Sequence, residues 1–340
     1  MGSNRRGDRG RRGRTLAGLI CVIALVGCGP AATSTDTPAA SSGPASPPAA
    51  PQSAAQVDGS AGATPTGLDG ATLRGAAAAD GGVVAVGAEG DRAAAWRSRD
   101  GVAWEPVDVQ DAGAAQALEA VAFGDRGVAF GAGDAGSPPA WVTDDDASWR
   151  LVDALTGVDG RVNAVEVEGG RWIAVGDVVD EETGEAYGGA VWTSDDGTAW
   201  RVAGEMTLDE GTVSDVASDG DTTVVVGFDV AGGRMWTSTG DGEFAAVDGE
   251  DLAGMTLQGV TALDDGFVVL GRGPDLRAYA WTSPDGATWT RDELPADVVA
   301  PDDEIHELTT VGDRALAVGV TAGNGGVWTS RDGRAWTPGS

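Results

Sequence analysis

The sequence predicts an all-β protein built from six repeats of four strands. A Trp followed eight residues later by a second aromatic residue occurs six times, and the first Trp recurs at intervals of 45, 51, 44, 45 and 47 residues. Repetition at this spacing is typical of proteins built from similar supersecondary units. The aromatic pairs are Trp96/Trp104, Trp141/Trp149, Trp192/Trp200, Trp236/Phe244, Trp281/Trp289 and Trp328/Trp336.

Two further apolar runs precede the first Trp of each repeat, which gives four short strands separated by turns. The run nearer the Trp is the clearest, as in VVAVG at 83–87 and WIAVG at 172–176, and it ends in Gly in every copy. An alternating run comes before it, for example at 118–121 and 162–165. Beyond the N-terminal region, no segment has the 3.6-residue apolar period of a long helix.

A tight turn is predicted between the two aromatic residues of each repeat. In Ser283-Pro284-Asp285-Gly286, Pro fixes φ at about −65°, which suits the second residue of a type I turn, with Gly286 in the left-handed conformation of a G1 bulge. Ser and Asp side chains accept hydrogen bonds from backbone N–H groups in such turns. Asp146 replaces this Gly in the second repeat, and Asp tolerates left-handed backbone better than most residues do.

A single four-stranded sheet cannot bury both of its faces, whereas six sheets arranged radially bury each face against a neighbour. The sequence therefore predicts a six-bladed β-propeller of four-stranded antiparallel blades over residues 67–340. The S-x-D-G-x-x-W turns resemble the Asp box of the BNR-repeat propellers, a group that includes sialidases and many non-enzymatic relatives. The usual Asp box, SxDxGxxW, is one residue longer.

The N-terminus has the arrangement of an export signal, with six Arg residues before an apolar stretch at 16–26. The stretch ends in Leu25-Val26-Gly27-Cys28, which resembles a bacterial lipobox. This resemblance implies that residues 1–27 are a lipoprotein signal peptide and that Cys28 is lipidated; an ordinary signal peptide with a chance Cys is the alternative. Residues 28–66 are rich in Ala, Ser, Thr, Pro and Gly and lack aromatic residues, so we expect a disordered tether.

The composition narrows the compartment and the partners. We expect the protein at the extracytoplasmic face of the cell membrane, attached through its lipid only. The net charge of −31 argues against nucleic acid and anionic lipid surfaces, and favours cations or basic partners. Cys21 lies in the part that is removed and Cys28 would be blocked by lipid, so no disulfide is expected. The absence of Lys beside abundant Ala, Gly, Asp and Arg suggests a GC-rich, actinobacterial genome.

Cofactors are not expected. Acidic loops could hold Ca²⁺, but no spacing matches a known calcium loop, so solvated charge is the favoured interpretation. His306 is the only His, which excludes zinc chemistry through several imidazoles.

A candidate binding site comes from aligning the six first strands on their shared apolar residue. In propellers of this kind, the first strands line a central channel and their N-terminal ends form its mouth. The residue two positions before the apolar one is polar in every repeat, and Asp215 and Glu307 extend the set. Water in the channel would also explain this polarity. The six residues are Arg74, Glu119, Asn163, Ser214, Gln258 and His306.

The resemblance to sialidases implies a Tyr nucleophile, an acid/base Asp and three Arg residues that hold the substrate carboxylate. Only Tyr187 and Tyr279 are present, both in predicted loops between second and third strands, and the ring contains one Arg. The paired Trp residues are interpreted as core rather than as sugar-stacking surfaces. We therefore predict a non-catalytic, surface-exposed, monomeric interaction module for an envelope protein, peptide or glycan; a divergent sialidase-like glycoside hydrolase is the alternative.

Overall fold

The computed structural model describes residues 66–79, 81–132, 137–152, 155, 160–180, 186–247, 249–321 and 324–339. The predicted signal peptide, Cys28 and residues 28–65 of the predicted tether lie outside this range. Within it, the regular secondary structure is β-strand except for two 3-10 helices, Ala112–Ala114 and Glu250–Leu252. None of the described helical segments has the length and apolar character needed to cross a membrane.

The described residues form 24 strands, four from each sequence repeat. Repeat 1 forms β1 (Ala71–Ala79), β2 (Gly82–Glu89), β3 (Arg92–Ser98) and β4 (Glu105–Val109), and repeat 2 forms β5 (Ala117–Phe123), β6 (Gly127–Ala132), β7 (Ala140–Thr143) and β8 (Ser148–Val152). Repeat 3 forms β9 (Gly160–Glu168), β10 (Arg171–Val179), β11 (Ala186–Ser194) and β12 (Arg201–Thr207), and repeat 4 forms β13 (Thr212–Ser218), β14 (Thr222–Asp229), β15 (Gly232–Thr239) and β16 (Ala245–Ala246). Repeat 5 forms β17 (Thr256–Leu263), β18 (Gly266–Arg272), β19 (Ala278–Ser283) and β20 (Thr290–Glu293), and repeat 6 forms β21 (Glu304–Val311), β22 (Arg314–Thr321), β23 (Asn324–Ser330) and β24 (Trp336–Pro338).

Within every repeat the four strands pair antiparallel in chain order. Repeats 3 to 6 each form a separate four-stranded sheet, whereas repeats 1 and 2 share one eight-stranded sheet. The two halves of the larger sheet join through a short parallel pairing of β4 with β8, at Asp108 with Ser148 and Val109 with Trp149. The repeats in the sequence carry no signal for this connection between two outermost strands.

The core lies between neighbouring sheets and is rich in the paired aromatic residues. Trp141, Trp149 and Trp192 are almost fully buried. Phe130 of repeat 2 meets Trp200 of repeat 3 edge to face, with ring centroids 5.2 Å apart. Trp289 is only half-buried. The predicted packing role of the Trp pairs is therefore confirmed, because large aromatic side chains fill the space between adjacent repeats.

The left-handed residue predicted in the turns between third and fourth strands is present. Gly197 and Gly286 have φ values of 71° each, and Asp146 has 58°. In repeat 3, Asp196 Oδ1 accepts hydrogen bonds from the backbone N–H groups of Thr198 and Ala199 at 2.8 and 2.9 Å. Trp200 Nε1 donates to the Gly197 carbonyl oxygen at 3.1 Å. The turn thus satisfies its own polar groups and fixes the second Trp above it.

Candidate functional site

The first strands of all six repeats surround one channel. Residues from β1, β5, β9, β13, β17 and β21 line a cavity of about 220 Å³ inside it. A second cavity, of about 320 Å³, opens at the N-terminal ends of the same strands. We call the second cavity the mouth and the first the channel. The eight predicted site residues all line the mouth: Arg74, Glu119, Asn163, Ser214, Asp215, Gln258, His306 and Glu307.

Each first strand carries a β-bulge, and in each strand the bulged residue is the predicted ring residue. In repeat 1, Leu73 pairs with Gly87 and Gly75 pairs with Val86, which leaves Arg74 without a partner in β2. The same register shift leaves out Glu119, Asn163, Ser214, Gln258 and His306 in the other repeats. A bulge redirects a side chain and is often found beside functional sites. The bulges explain why six polar side chains share one level at the mouth.

A Gly on the second strand makes room for each bulge. These glycines are Gly87, Gly131, Gly176, Gly227, Gly271 and Gly319. A Cβ atom added to any of them would lie within 3.1 Å of the carbonyl oxygen two residues before the bulge, and within 1.8 Å at Gly176. In five of the six repeats this distance would be 2.7 Å or less, closer than real Cβ atoms approach backbone, so the first strand could not keep its path there beside a larger residue.

The bulged side chains differ in how far they are engaged with the protein. Asn163 Nδ2 donates to the Val213 carbonyl oxygen at 2.7 Å, and Ser214 Oγ donates to the Leu257 carbonyl oxygen at 3.0 Å. Both bonds connect one repeat to the next. Arg74 lies 3.9 Å from Glu119, and their side chains are 52% and 32% exposed. Since exposed ion pairs are weak, Arg74 and Glu119 are available to a ligand.

His306 is the remaining titratable group of the ring. Its Nε2 atom lies 3.1 Å from Glu304 Oε2, and both side chains are more than half exposed. An exposed pair of this kind can rearrange around a ligand at little cost.

Two carboxyl groups follow directly after a bulge and project into the mouth. These are Asp215 and Glu307, whereas the other four repeats have Gly75, Ala120, Ala164 and Gly259 at this level. Burial raises the pKa of Glu307 to about 7. Burial also raises the pKa of Asp215 well above its usual range, and the negative charge of Glu307 raises it further. The two groups therefore influence each other's ionisation.

A third carboxyl group, Glu166, lies deeper in the channel and was missed by the sequence analysis. Burial, with a smaller effect of the charge on Glu168, raises the pKa of Glu166 to about 8, although the Ser218 N–H opposes this shift. Its Oε2 atom is buried and has no hydrogen-bond partner among the described residues. The signal was its place directly after the aligned Val165, where the other repeats have only Ala or Thr.

The Asp-box turns lie on the opposite face from the mouth. Ser98 at the first of these turns pairs with Val83, which in turn pairs with Ala78, four residues beyond Arg74 along β1. At about 3.3 Å per residue, the two levels are about 13 Å apart.

The two tyrosines lie in strands and not in the predicted loops. Tyr187 and Tyr279 were expected in loops, but they lie within the third strands β11 and β19, because the preceding connections end earlier than predicted. Neither is among the described residues that line the mouth or the channel. Tyr187 is 61% exposed, and the Tyr279 hydroxyl donates to Asp275 at 3.2 Å.

The described residues contain no group of three or more His, Cys, Asp or Glu side chains arranged to hold a metal ion.

Comparison with solved structures identifies the fold class. The chain is similar to the fungal lectin from Aleuria aurantia, a fucose-recognising six-bladed β-propeller, at 11% identity and a TM-score of 0.50, over 77% of this chain and 92% of the lectin. It is also similar to a putative 6-phosphogluconolactonase from Bacteroides uniformis, at 11% identity and a TM-score of 0.52, over 76% and 82% of the two chains. The WD40 domain of Neurospora crassa Pan2 matches at 12% identity and a TM-score of 0.50, over 78% and 77%. The chain therefore has a β-propeller fold.

No protein-family model matches the chain, and no curated protein is similar to it in sequence.

Proposed function

We propose that this chain is a six-bladed, lipid-anchored propeller that displays a non-catalytic binding face outside the cell membrane. Its ligand is an envelope protein, peptide or glycan, and the mouth is the binding surface. Attachment is through Cys28, with residues 28–66 as the tether.

The six-blade count is supported by the strand pattern. Every repeat supplies one contiguous four-stranded meander, and the first strands of all six reach the same channel. The eight-stranded sheet is interpreted as two blades whose outer edges touch, because only two residue pairs join β4 to β8. The lectin from Aleuria aurantia, itself six-bladed, matches over 92% of its length.

The resemblance to Asp-box propellers is supported by the turn chemistry. In repeats 1, 3, 5 and 6, an Asp side chain accepts two backbone N–H groups and the second Trp donates to the turn Gly. These bonds explain why Asp, Gly and Trp recur together.

The observation that carries the binding proposal is the bulge in every first strand. A bulge interrupts strand pairing, so packing alone would not favour the same interruption six times beside one cavity. Each interruption aims a different polar side chain at the mouth. Varied polar groups around a concave opening are what a specific ligand site requires.

The test begins with capture of a partner from envelope extracts on the immobilised protein, followed by comparison of two variants. Arg74→Ala with Glu119→Ala changes the mouth, and Arg99→Ala with Arg331→Ala changes the opposite face. We expect capture to fail only for the first variant, with the free energy of unfolding of both variants within about 1 kcal/mol of the parent, as is usual for exposed positions. Loss of capture only in the second variant, or in neither, would contradict the assignment of the face.

The second candidate function is a divergent, sialidase-like glycoside hydrolase. The neighbouring carboxyl groups of Asp215 and Glu307 favour it. Most glycoside hydrolases use two carboxyl groups, one of them with a raised pKa. The measurement is release of nitrophenol from a panel of aryl glycosides and sialosides by the parent and by Glu307→Gln. Turnover that is lost in Glu307→Gln would replace the binding proposal with this one.

A further inference from the structure

We propose that the end of the channel nearer the mouth binds an organic cation. This cation is the ammonium or guanidinium end of a Lys or Arg side chain on a peptide partner. Glu307, Asp215 and Glu166 would hold it. This inference rests on the proposed binding function of the mouth and names the chemistry that the ligand presents there.

The first supporting observation is the one-sided charge of the channel. Acidic residues reach it at two levels, with Asp215, Glu307 and Glu166 nearer the mouth and Glu168, Asp219, Asp264 and Asp313 toward the far end. No Arg or His is among the described residues that line it, and the chain contains no Lys. Arg314 and Arg331 lie near Asp313. No described Arg pairs with the three carboxyl groups nearer the mouth.

The second observation is the incomplete hydrogen bonding of Glu166. One of its oxygens accepts from the Ser218 backbone N–H, and the other is buried without a donor among the described residues. Buried polar atoms of native proteins nearly always have a partner, and one without a partner needs an explanation. Glu166 lines the channel, so a rotation of its side chain would bring this oxygen to a donor carried by a ligand there.

The third observation is the space beside the carboxyl groups. At the level of Asp215 and Glu307, the remaining positions are Gly or Ala. The mouth and the channel share five lining residues at this level: Ala76, Val121, Val165, Asp215 and Glu307. The mouth cavity of about 320 Å³ therefore continues into the channel cavity of about 220 Å³ beside these two carboxyl groups.

The donor geometry favours an organic cation over a metal ion. Both oxygens of Asp215 already accept backbone N–H groups, from Val216 at 2.8 Å and Val260 at 2.9 Å. Ca²⁺ requires six to eight oxygen ligands in direct contact, whereas an ammonium group has only three donors to place. Glu307, Glu166 and one lone pair of Asp215 are sufficient for it.

Ionisation of the site gives the inference a second signature. Burial keeps Glu166 and Glu307 partly protonated near neutral pH. A bound cation favours the charged carboxylates, so binding must release protons and must tighten as pH rises from 6 to 8. The other titratable or charged groups that face the site are Arg74, Glu119 and His306 at the mouth, and Glu168, Asp219, Asp264 and Asp313 toward the far end of the channel.

The experiment is calorimetric titration of the whole extracytoplasmic chain with two probes, N-acetyl-lysine methylamide and N-acetyl-arginine methylamide. N-acetyl-norleucine methylamide is the control, because it has the same aliphatic stem without the charge. Calcium chloride is titrated in a separate arm. We expect at least one cationic probe to bind at pH 8, and neither norleucine nor Ca²⁺ to bind.

The variants are Glu166→Gln, Glu307→Gln and their combination, with Glu89→Gln as a control that removes an exposed charge on the same face. The combination should lower the affinity for the cationic probe at least about 10-fold, which corresponds to about 1.4 kcal/mol. Glu89→Gln should change this affinity less than about 2-fold. Repeating the titration in His306→Asn shows whether the pH dependence belongs to the channel; it should persist there.

The inference is overturned if no cationic probe binds, if norleucine binds equally well, if Ca²⁺ binds with loss in the same variants, or if the combined variant binds as the parent does. These outcomes leave the mouth proposal standing as long as Arg74→Ala with Glu119→Ala still abolishes partner capture. Conversely, probe binding with unaffected capture would retain the cation site and reject the mouth as the partner surface.

Discussion

The carboxylate of Asp215 accepts a hydrogen bond from the backbone N–H of Val260, 2.9 Å away on the first strand of the next repeat. First strands form the inner edges of their sheets. The N–H and C=O groups on the side away from the second strand therefore have no neighbouring strand to pair with. Asn163 and Ser214 instead donate hydrogen bonds to backbone carbonyl oxygens of the next repeat. Polar residues at the mouth therefore connect adjacent repeats as well as lining a cavity.

Asp215→Ala should lower the free energy of unfolding by about 1 to 3 kcal/mol, because it leaves the Val260 N–H without its acceptor. Glu307→Gln is the matched control: it alters the neighbouring carboxyl group, to which no described backbone group donates, and should cause no loss. Urea denaturation at pH 7 measures both. Equal destabilisation would show that charge, and not the inter-repeat bond, is what matters.

Glu166→Gln should remove part of the pH dependence of stability. The pKa of this carboxyl is about 8 in the folded protein, against an ordinary value of 4.5. Between those pH values the folded state holds a proton that the unfolded state has lost, so the free energy of unfolding falls as pH rises from about 5 to 8. Below about pH 4.5 both states are protonated and the penalty is absent.

We expect the Gln variant to be more stable than the parent at pH 8, by about 2 kcal/mol, and closer to the parent at pH 5. Thermal denaturation across this pH range is the measurement. Glu168→Gln changes the carboxyl group two residues further along the same strand and should have the smaller effect. A parent and Glu166→Gln variant with parallel pH profiles would refute the raised pKa.

Trp200→Ala should destabilise the protein by about 3 to 5 kcal/mol, since a large buried aromatic side chain is lost. Trp200 is 8% exposed and packs against Phe130 of the preceding repeat. Trp289→Ala, at the equivalent but half-buried position, should cost less. A Trp200→Ala protein of normal stability that had lost only ligand binding would contradict the core assignment.

The fold was predictable because its signals are local and repeated. Each Ser-x-Asp-Gly turn satisfies its own hydrogen bonds, and each Trp pair fills the same space between sheets. The sequence motif therefore recurs once for every structural repeat. The parallel contact of β4 with β8 was not predictable, because it depends on the approach of two outer edges through Asp108 and Ser148 and leaves no periodic mark.

The sequence predicted that the mouth residues share one level, but not the bulges that place them there. Alignment on an apolar residue placed Arg74 and His306 together, yet the bulges that direct them were not inferred. Their signal was present in the Gly that ends every second-strand motif, such as Gly176, whose missing Cβ admits the bulged strand. Glu166 was missed because only one repeat carries an acid at that position, and an alignment of repeats emphasises what they share.

Cys28→Ala should abolish attachment to the membrane, if the lipobox resemblance of residues 25–28 is right. The measurement is incorporation of labelled palmitate together with cell fractionation. Cys21→Ala is the control, because Cys21 lies within the predicted signal peptide and should leave labelling unchanged. Persistent label and membrane association in Cys28→Ala would reject the anchor.

Gly176→Ala should destabilise the protein by at least about 2 kcal/mol, because the added Cβ would lie 1.8 Å from the Arg161 carbonyl oxygen and would force the bulged strand β9 outward. Gly113→Ala is the matched control: its Cβ would meet no atom within 4 Å, and we expect a change within about 0.5 kcal/mol. Because Asn163 occupies the bulge beside Gly176, partner capture by the folded fraction should weaken in Gly176→Ala as well. Equal stability of the two variants, measured by urea denaturation, would mean that the close approach of the two strands relaxes freely and that the recurring Gly has another cause.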